Sequence, residues 1–315
     1  MPTRQVDLSD LPLPDWSQSG QETAGIGGDR PEAIERIRFE DVSREAGISF
    51  EYFQSPQPET AGARMFENTG GGVAILDYDQ DGWPDVYLTQ GTTWPGDEAA
   101  EGDVPRRDRL FRNNGDGTFH DVTDAAGLGA GLGDERFSQG VAVGDIDHDG
   151  WPDVYVANIG GNRLFRNNSD GTFGSWPLPG QESADDDRTW TTSCVVADID
   201  GDGHVDLFDV NYLSGSDVFT KICRTQGIPF ACHPNEFDGA DDRFWRGDGA
   251  GGFVDATRNA GFVAADGKGL GVVVARTGEP ASGPPRLGLF IANDAVANHF
   301  YLPTSGGVTD QALSR

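Results

Sequence analysis

GVAVGDIDHDGWPDVYVAN, residues 140–158, reads as a strand, a tight acidic loop and a second strand. Val141, Val143 and Ile146 lead into the loop, and Val154, Tyr155 and Val156 leave it. Between them Asp145, Asp147, Asp149 and Asp153 stand at loop positions 1, 3, 5 and 9, with Gly150 at position 6. Carboxylates crowded into one turn repel each other unless a cation neutralises them. Calcium suits such a set because it takes about six to eight oxygen ligands in flexible geometry. The alternating positions aim three carboxylates at one centre, Gly150 permits the sharp turn, the carbonyl of Trp151 adds an oxygen, and Asp153 closes the cage.

The arrangement occurs twice more. Asp77, Asp79, Asp81, Gly82 and Asp85 form it in GGVAILDYDQDGWPDVYLTQ, and Asp198, Asp200, Asp202, Gly203 and Asp206 form it in CVVADIDGDGHVDLFDV. A set of Asp-Gly hairpin turns with solvated carboxylates is the plainer reading, but it leaves Asp at position 9 of all three copies unexplained. An EF-hand loop needs Glu at position 12 and a helix on each side. Position 12 here is Leu88, Val156 and Asp209, and the flanks are strand-like. The sequence therefore predicts three structural calcium ions in strand-flanked loops.

The chain has 315 residues, with 52 acidic against 23 basic ones, and the three loops hold only part of that excess. A net charge of −29 argues against nucleic acid or an anionic membrane as partner, since both need basic patches. The 45 glycines and 18 prolines suit many short strands and tight turns. No apolar run is long enough for a membrane-spanning helix, and the first residues, MPTRQVDLSDLPLPDWSQSG, hold no apolar core of a secretory signal. Residues 1–35 read as a flexible lead-in, and residues 36–315 as the repeat region.

Within that region IRFEDVSREAGI (37–48), GTFHDVTDAAGL (117–128) and GGFVDATRNAGF (251–262) match one another. RLFRNNGDGTF (109–119) and RLFRNNSDGTF (163–173) are near copies, with RFWRGDGAGGF (243–253) and HFYLPTSGGV (299–308) as looser ones. Each of these reads as strand, Gly-rich turn and strand. One full unit is then four antiparallel strands with the acidic loop between the first two. Repeating four-stranded units are the mark of a β-propeller. About four units are present, so the expected fold is all-β, an incomplete propeller. Phe39 to Val42 is expected to supply a fourth strand to a blade begun elsewhere.

The third unit carries an insertion between Asp206 and Arg243 that holds Cys223 and Cys232. A bridge between them would pin a short excursion. Two free thiols are the alternative, and with His233 adjacent a zinc site is conceivable but lacks a full ligand set. Cys194 reads as a small core residue. In the fourth unit Arg276 falls where the first Asp belongs and only Glu279 remains acidic, so that loop is not expected to bind calcium.

The DxDxDGxxD loops, LFRNNGDGTF and FxDVTxxAGL resemble the FG-GAP/VCBS repeats of integrin α chains and many bacterial secreted proteins. A closer resemblance is to ASPIC/UnbV-type proteins, related to cartilage acidic protein. It spans residues 37–310 and implies a propeller with calcium between the first two strands of a blade. Position by position, it adds the carbonyls of Trp83, Trp151 and His204 to the Asp ligands. The 271–294 unit, which lacks the Asp set, and the missing ASPIC/UnbV segment are departures. The expectation is an extracellular or cell-surface scaffold that binds a protein or glycan and is not an enzyme. A propeller-based polysaccharide lyase or hydrolase is the alternative, though no catalytic constellation is visible and Asp185, Asp186 and Asp187 read as a solvated loop. A lectin would need aromatic platforms such as Trp83 and Trp151, for which packing against a neighbouring blade is the plainer role.

Overall fold

The computed structural model describes residues 39–53, 62–93, 106–129, 136–179, 189–215, 217–262, 267–277, 286–304 and 307–312. The lead-in, Asp185 to Asp187 and Glu279 lie outside these. The chain divides into units Met1–Asp41 and Val42–Arg315. Of the first, only 39–41 are described, without regular structure; the second unit holds the sheets.

Strands β1 (Val73–Leu76), β2 (Asp85–Leu88), β3 (Arg109–Asn113) and β4 (Phe119–Asp121) form one antiparallel sheet in that order. Strands β5 (Phe137–Gly144), β6 (Asp153–Ile159), β7 (Arg163–Asn167) and β8 (Phe173–Trp176) form the next. The third begins with β9 (Thr191–Ala197) and β10 (Asp206–Asn211). An insertion follows, with β11 (Leu213–Ser214) paired to β14 (Asp238–Gly239) and β12 (Cys223–Thr225) paired to β13 (Ile228–Phe230). The third sheet closes with β15 (Arg243–Gly247) and β16 (Phe253–Asp255), and a one-turn helix, α1 (Thr257–Ala260), follows. The fourth sheet is β17 (Gly269–Thr277), β18 (Arg286–Asn293), β19 (His299–Thr304) and β20 (Gly307–Asp310). These are propeller blades, four in number among the described residues.

Successive side chains of a strand point to opposite faces. A strand covered on both faces is therefore apolar at every step. β6 is buried at all its residues because its sheet has a neighbour on each side. Ala74, Leu76, Tyr87 and Leu110 of the first blade meet Val154, Val156, Phe165 and Phe173 of the second. Tyr155 and Leu164 on the second blade's other face meet Cys194, Leu207 and Trp245 of the third. Phe208, Val210 and Phe244 then meet Leu289, Ile291 and Tyr301 of the fourth. Each large side chain sealed in these seams contributes about 1.5–3 kcal/mol.

The innermost strands β1, β5, β9 and β17 lie side by side in that order. Glycine permits the approach. A Cβ on Gly72 would stand 2.8 Å from the Gln139 carbonyl, and one on Gly140 would stand 2.8 Å from that of Thr192. A Cβ on the equivalent Gly271 would meet nothing within 4 Å, because no further blade covers that side. At the other end β1 alternates, with Val73 and Ile75 exposed and Ala74 and Leu76 buried. The propeller is incomplete, with an open face at each end.

The insertion forms two short strand pairs of its own, outside the four-stranded sheets. Tyr212, Leu213, Val218, Phe219, Cys232 and Phe237 pack with Phe66, Phe137, Ile159 and Trp190. Phe137 opens β5 and Ile159 ends β6, so this cluster lies at the opposite end of the strands from the acidic loops. Cys223 and Cys232 are bridged, with Cα atoms 5.0 Å apart. Cys194 is a buried core thiol that burial pushes up.

One expectation fails. Phe39 to Val42 forms no strand, and Phe39 is exposed. The following turn behaves as the repeat implies: Phe119 N–H donates to the Ala46 carbonyl, as Phe173 N–H donates to Ala126. The turn at Ala46 thus docks on the outer strand of the first blade, while the residues that match a fourth strand have no described strand to pair with.

Candidate metal centres

Each acidic loop joins the first two strands of its blade. Leu76 faces Asp85 in register, Gly144 faces Asp153 and Ala197 faces Asp206, so position 9 is the first residue of the second strand. The turn needs two left-handed residues. One is the glycine at position 6, with φ of 89° at Gly82, 91° at Gly150 and 92° at Gly203. The other, at position 4, is Gln80, His148 or Gly201, with φ of 54°, 60° and 81°. A side chain there is strained, and the loop tolerates it where backbone N–H groups find acceptors.

Those acceptors are the carboxylates. At position 1, Asp77 accepts from Gly82 N–H, Asp145 from Gly150 and Asp198 from Gly203, each at 3.0 Å. At position 9 both oxygens are engaged. Asp153 accepts from Ile146 N–H and from Asn167 N–H of the third strand, each at 2.9 Å. Asp85 does the same with Tyr78 and Asn113, and Asp206 with Ile199 and Gly247. These three are fully buried. Burial, partly offset by the backbone N–H groups, pushes Asp153 and Asp206 up to about 6 and raises Asp85.

The structure brings positions 1, 3 and 9 together. Carboxylate oxygens of Asp77, Asp79 and Asp85 lie within 4.8 Å of one another, as do those of Asp145, Asp147 and Asp153, and of Asp198, Asp200 and Asp206. Asp79 Oδ1 and Asp145 Oδ1 are buried and accept no hydrogen bond. Oxygen-only donors, close like charges and unsatisfied buried oxygens fit a hard divalent cation. The position-5 carboxylates stand outside these triads. Asp81, Asp149 and Asp202 cap the N–H of Trp83, Trp151 and His204. Arg112 pairs with Asp79 and Asp81, and Arg166 with Asp147 and Asp149.

The three loops are neighbours. Gln80 Nε2 donates to the Gly150 carbonyl at 2.6 Å, and the His148 and His204 rings are 6.5 Å apart. Trp83 is half-exposed and lies over Gly115 in the turn of its own blade. His204 lies over Gly249 in the same way.

A further recurrent feature braces the opposite end of the second and third strands. Asp108, Asn162, Asp242 and Asn298 each accept, through Oδ1, the N–H of Gln90, Asn158, Asn211 and Asn293 respectively. Its sequence signal is an Asp or Asn just before the Arg or His that opens the third strand.

No curated protein matches this chain. Among solved structures, an Agrocybe aegerita lectin described for specific recognition of non-reducing terminal N-acetylglucosamine is 17% identical, with a TM-score of 0.37. That match covers 76% of this chain, which spans 50% of the lectin's length. The model of the FG-GAP-like repeat matches residues 77–156 and 145–208, the span that holds all three acidic loops. Over that span, therefore, the chain carries FG-GAP-like repeats.

Proposed function

We propose that the chain is a calcium-stabilised binding scaffold that works outside the cytosol and presents its loop face to a protein or glycan. The observation that carries this is the Asp triad at positions 1, 3 and 9, repeated on three adjacent loops. Calcium in those triads would fix the loop face and leave the blades to carry the load. The Cys223–Cys232 bridge supports an oxidising compartment. Among the described residues no helix is long and apolar enough to cross a membrane. The FxDVTxxAGL turns are the reason to place the chain nearer the ASPIC/UnbV type. The ligand set we assign is the Asp residues of all four loop positions with the carbonyls of Trp83, Trp151 and His204. No catalytic residue is assigned.

The lyase or hydrolase alternative has one observation in its favour. A cavity of about 730 Å³ beside the third blade is lined by Asp241, Arg243, Asp255 and Arg258 among others. A panel of glycans and extracellular proteins, offered with calcium and with a chelator, separates the readings. Binding lost on chelation supports the scaffold. Turnover of a polysaccharide by the pure protein would transfer the function to the cavity.

A further inference from the structure

The arginine of the third strand recurs with the acidic loop. Strand register places Arg112 one residue beyond the Val86–Phe111 pair, Arg166 one beyond Val154–Phe165, and Arg246 one beyond Leu207–Trp245. In the fourth blade the residue beyond Leu289–Tyr301 is Leu302. That blade has also lost its acids, with Gly288 standing in register where the others have the position-9 Asp. Arginine is present at this place where the loop is acidic and absent where it is not.

Its contacts explain the pairing. Arg112 Nε lies 2.5 Å from Asp79 Oδ2 and its Nη2 lies 2.5 Å from Asp81 Oδ2. Arg166 Nη2 lies 2.5 Å from Asp147 Oδ2 and 3.4 Å from Asp149 Oδ2. Arg246 lines one cavity with Asp200 and Asp202. In the first two blades the guanidinium thus bridges positions 3 and 5. The position-5 carboxylate has one oxygen on the backbone N–H of position 7 and, at Asp81 and Asp149, the other on arginine. Turning its arginine-bound oxygen toward an ion in the triad would release that ion pair.

We propose that Arg112 and Arg166, and Arg246 by its equivalent place in register, are built-in counter-cations: each offsets part of its loop's negative charge when calcium is scarce and yields the position-5 carboxylate when calcium binds. This rests on the calcium reading. A guanidinium that must be displaced, or held near a divalent ion, lowers affinity. Removing one positive charge roughly 6–7 Å from the ion raises affinity at that loop about tenfold, the size of such a term at a water-like dielectric. The arginines would therefore set the calcium concentration at which the loops fill.

Calorimetric calcium titration of wild type, Arg112→Gln and Arg166→Gln tests this, with Arg109→Gln as the charge-matched control. Arg109 is on the same strand as Arg112 but pairs with Asp121, away from the loop. One site should tighten about tenfold in each of the first two variants and none in the control. Calcium-free Arg166→Gln should melt below wild type, and saturating calcium should close the gap. Unchanged or weaker binding in both variants overturns the proposal and makes the arginines ligand-orienting groups. Wild type that binds no calcium overturns the calcium reading and this proposal together, whereas normal binding in all four proteins overturns this proposal alone. Arg166 is half-exposed, so its variant keeps the test open should Arg112→Gln fold poorly.

Discussion

The Tyr155 hydroxyl of the second blade donates to the Asp209 carboxylate of the third. Asp209 also accepts from Trp245 Nε1 at 2.7 Å, and the group is sealed in the seam. Burial, against those hydrogen bonds, pushes Asp209 up to about 6. Burial, with Asp209 and Asp241 nearby, pushes Asp242 up to about 8. Both folded values lie above the unfolded one. The stability these groups contribute is complete below the ordinary carboxylate range and is lost as pH rises through about 6 and then about 8. Urea unfolding of calcium-free protein should therefore show stability falling from pH 5 to 8.5, and a rise over that interval would refute the assignment.

Asp242→Asn isolates one part of that slope. Asn162 and Asn298 make the same brace in the second and fourth blades, so the amide fits the bond to Asn211 N–H. The variant should gain on the order of 1–3 kcal/mol at pH 8.5 and little at pH 5. Equal gains at both pH values would mean that ionisation of Asp242 is not the cost removed.

Positions 3 and 9 should separate calcium binding from folding. Asp153→Ala strands two buried N–H donors and should cost about 2–5 kcal/mol even in a chelator. Asp147→Ala removes a partly solvated ion pair with Arg166 and should cost under about 1 kcal/mol, while the number of calcium ions bound falls from three to two. Calorimetric titration and chelated melts read both. A loss of fold in Asp147→Ala, or an unchanged ion count, counts against the model.

Replacing Cys223 and Cys232 by Ser opens a loop of sequence separation 9. The chain-entropy cost is about 2.5–3 kcal/mol. Cys232 packs beside Phe219 and Phe237, so the loss should appear first as hydrogen exchange across 217–239. Non-reducing peptide mapping of wild type should recover the bridged peptide, and freely alkylated thiols would contradict it.

The open faces should associate. Val73 and Ile75 are exposed on β1, and Val273 and Phe290 on the fourth blade. In register these last two stand where Ala142 and Tyr155 meet the next blade. Light scattering should show mass rising with protein concentration, and Ile75→Asp or Phe290→Asp should lower it. A wild type that stays monomeric at high concentration would show these faces to be inert.

The loops and the four-stranded units were legible because their signal is local. In each loop the four Asp and the glycine (Gly82, Gly150 or Gly203) fall within nine consecutive residues. The brace was not legible, because Asp242 meets Asn211 across the whole insertion while Asn162 meets Asn158 across one turn. The arginine bridge was missed for a similar reason: Arg112 belongs to a different motif from Asp79, and only the sheet joins them. The failed strand at Phe39 to Val42 shows the limit of repeat matching. Similarity to Phe119 carried over the turn at Ala46, whose contacts are within reach, but a strand exists only where a partner edge is free.

Asp85, Asp153 and Asp206 complete their hydrogen bonds with backbone donors alone, and in doing so tie the second strand of each blade to the third. The clasp thus needs only the protein's own groups, so that it can close before any metal is bound. A protein assembled in that order can travel through calcium-poor surroundings with its blades formed, and then harden on delivery. Chelation should accordingly open residues 77–84, 145–152 and 198–205 to proteolysis while the strands on either side remain protected. On the calcium reading, the ion would govern what the surface can hold and leave the architecture beneath it unchanged.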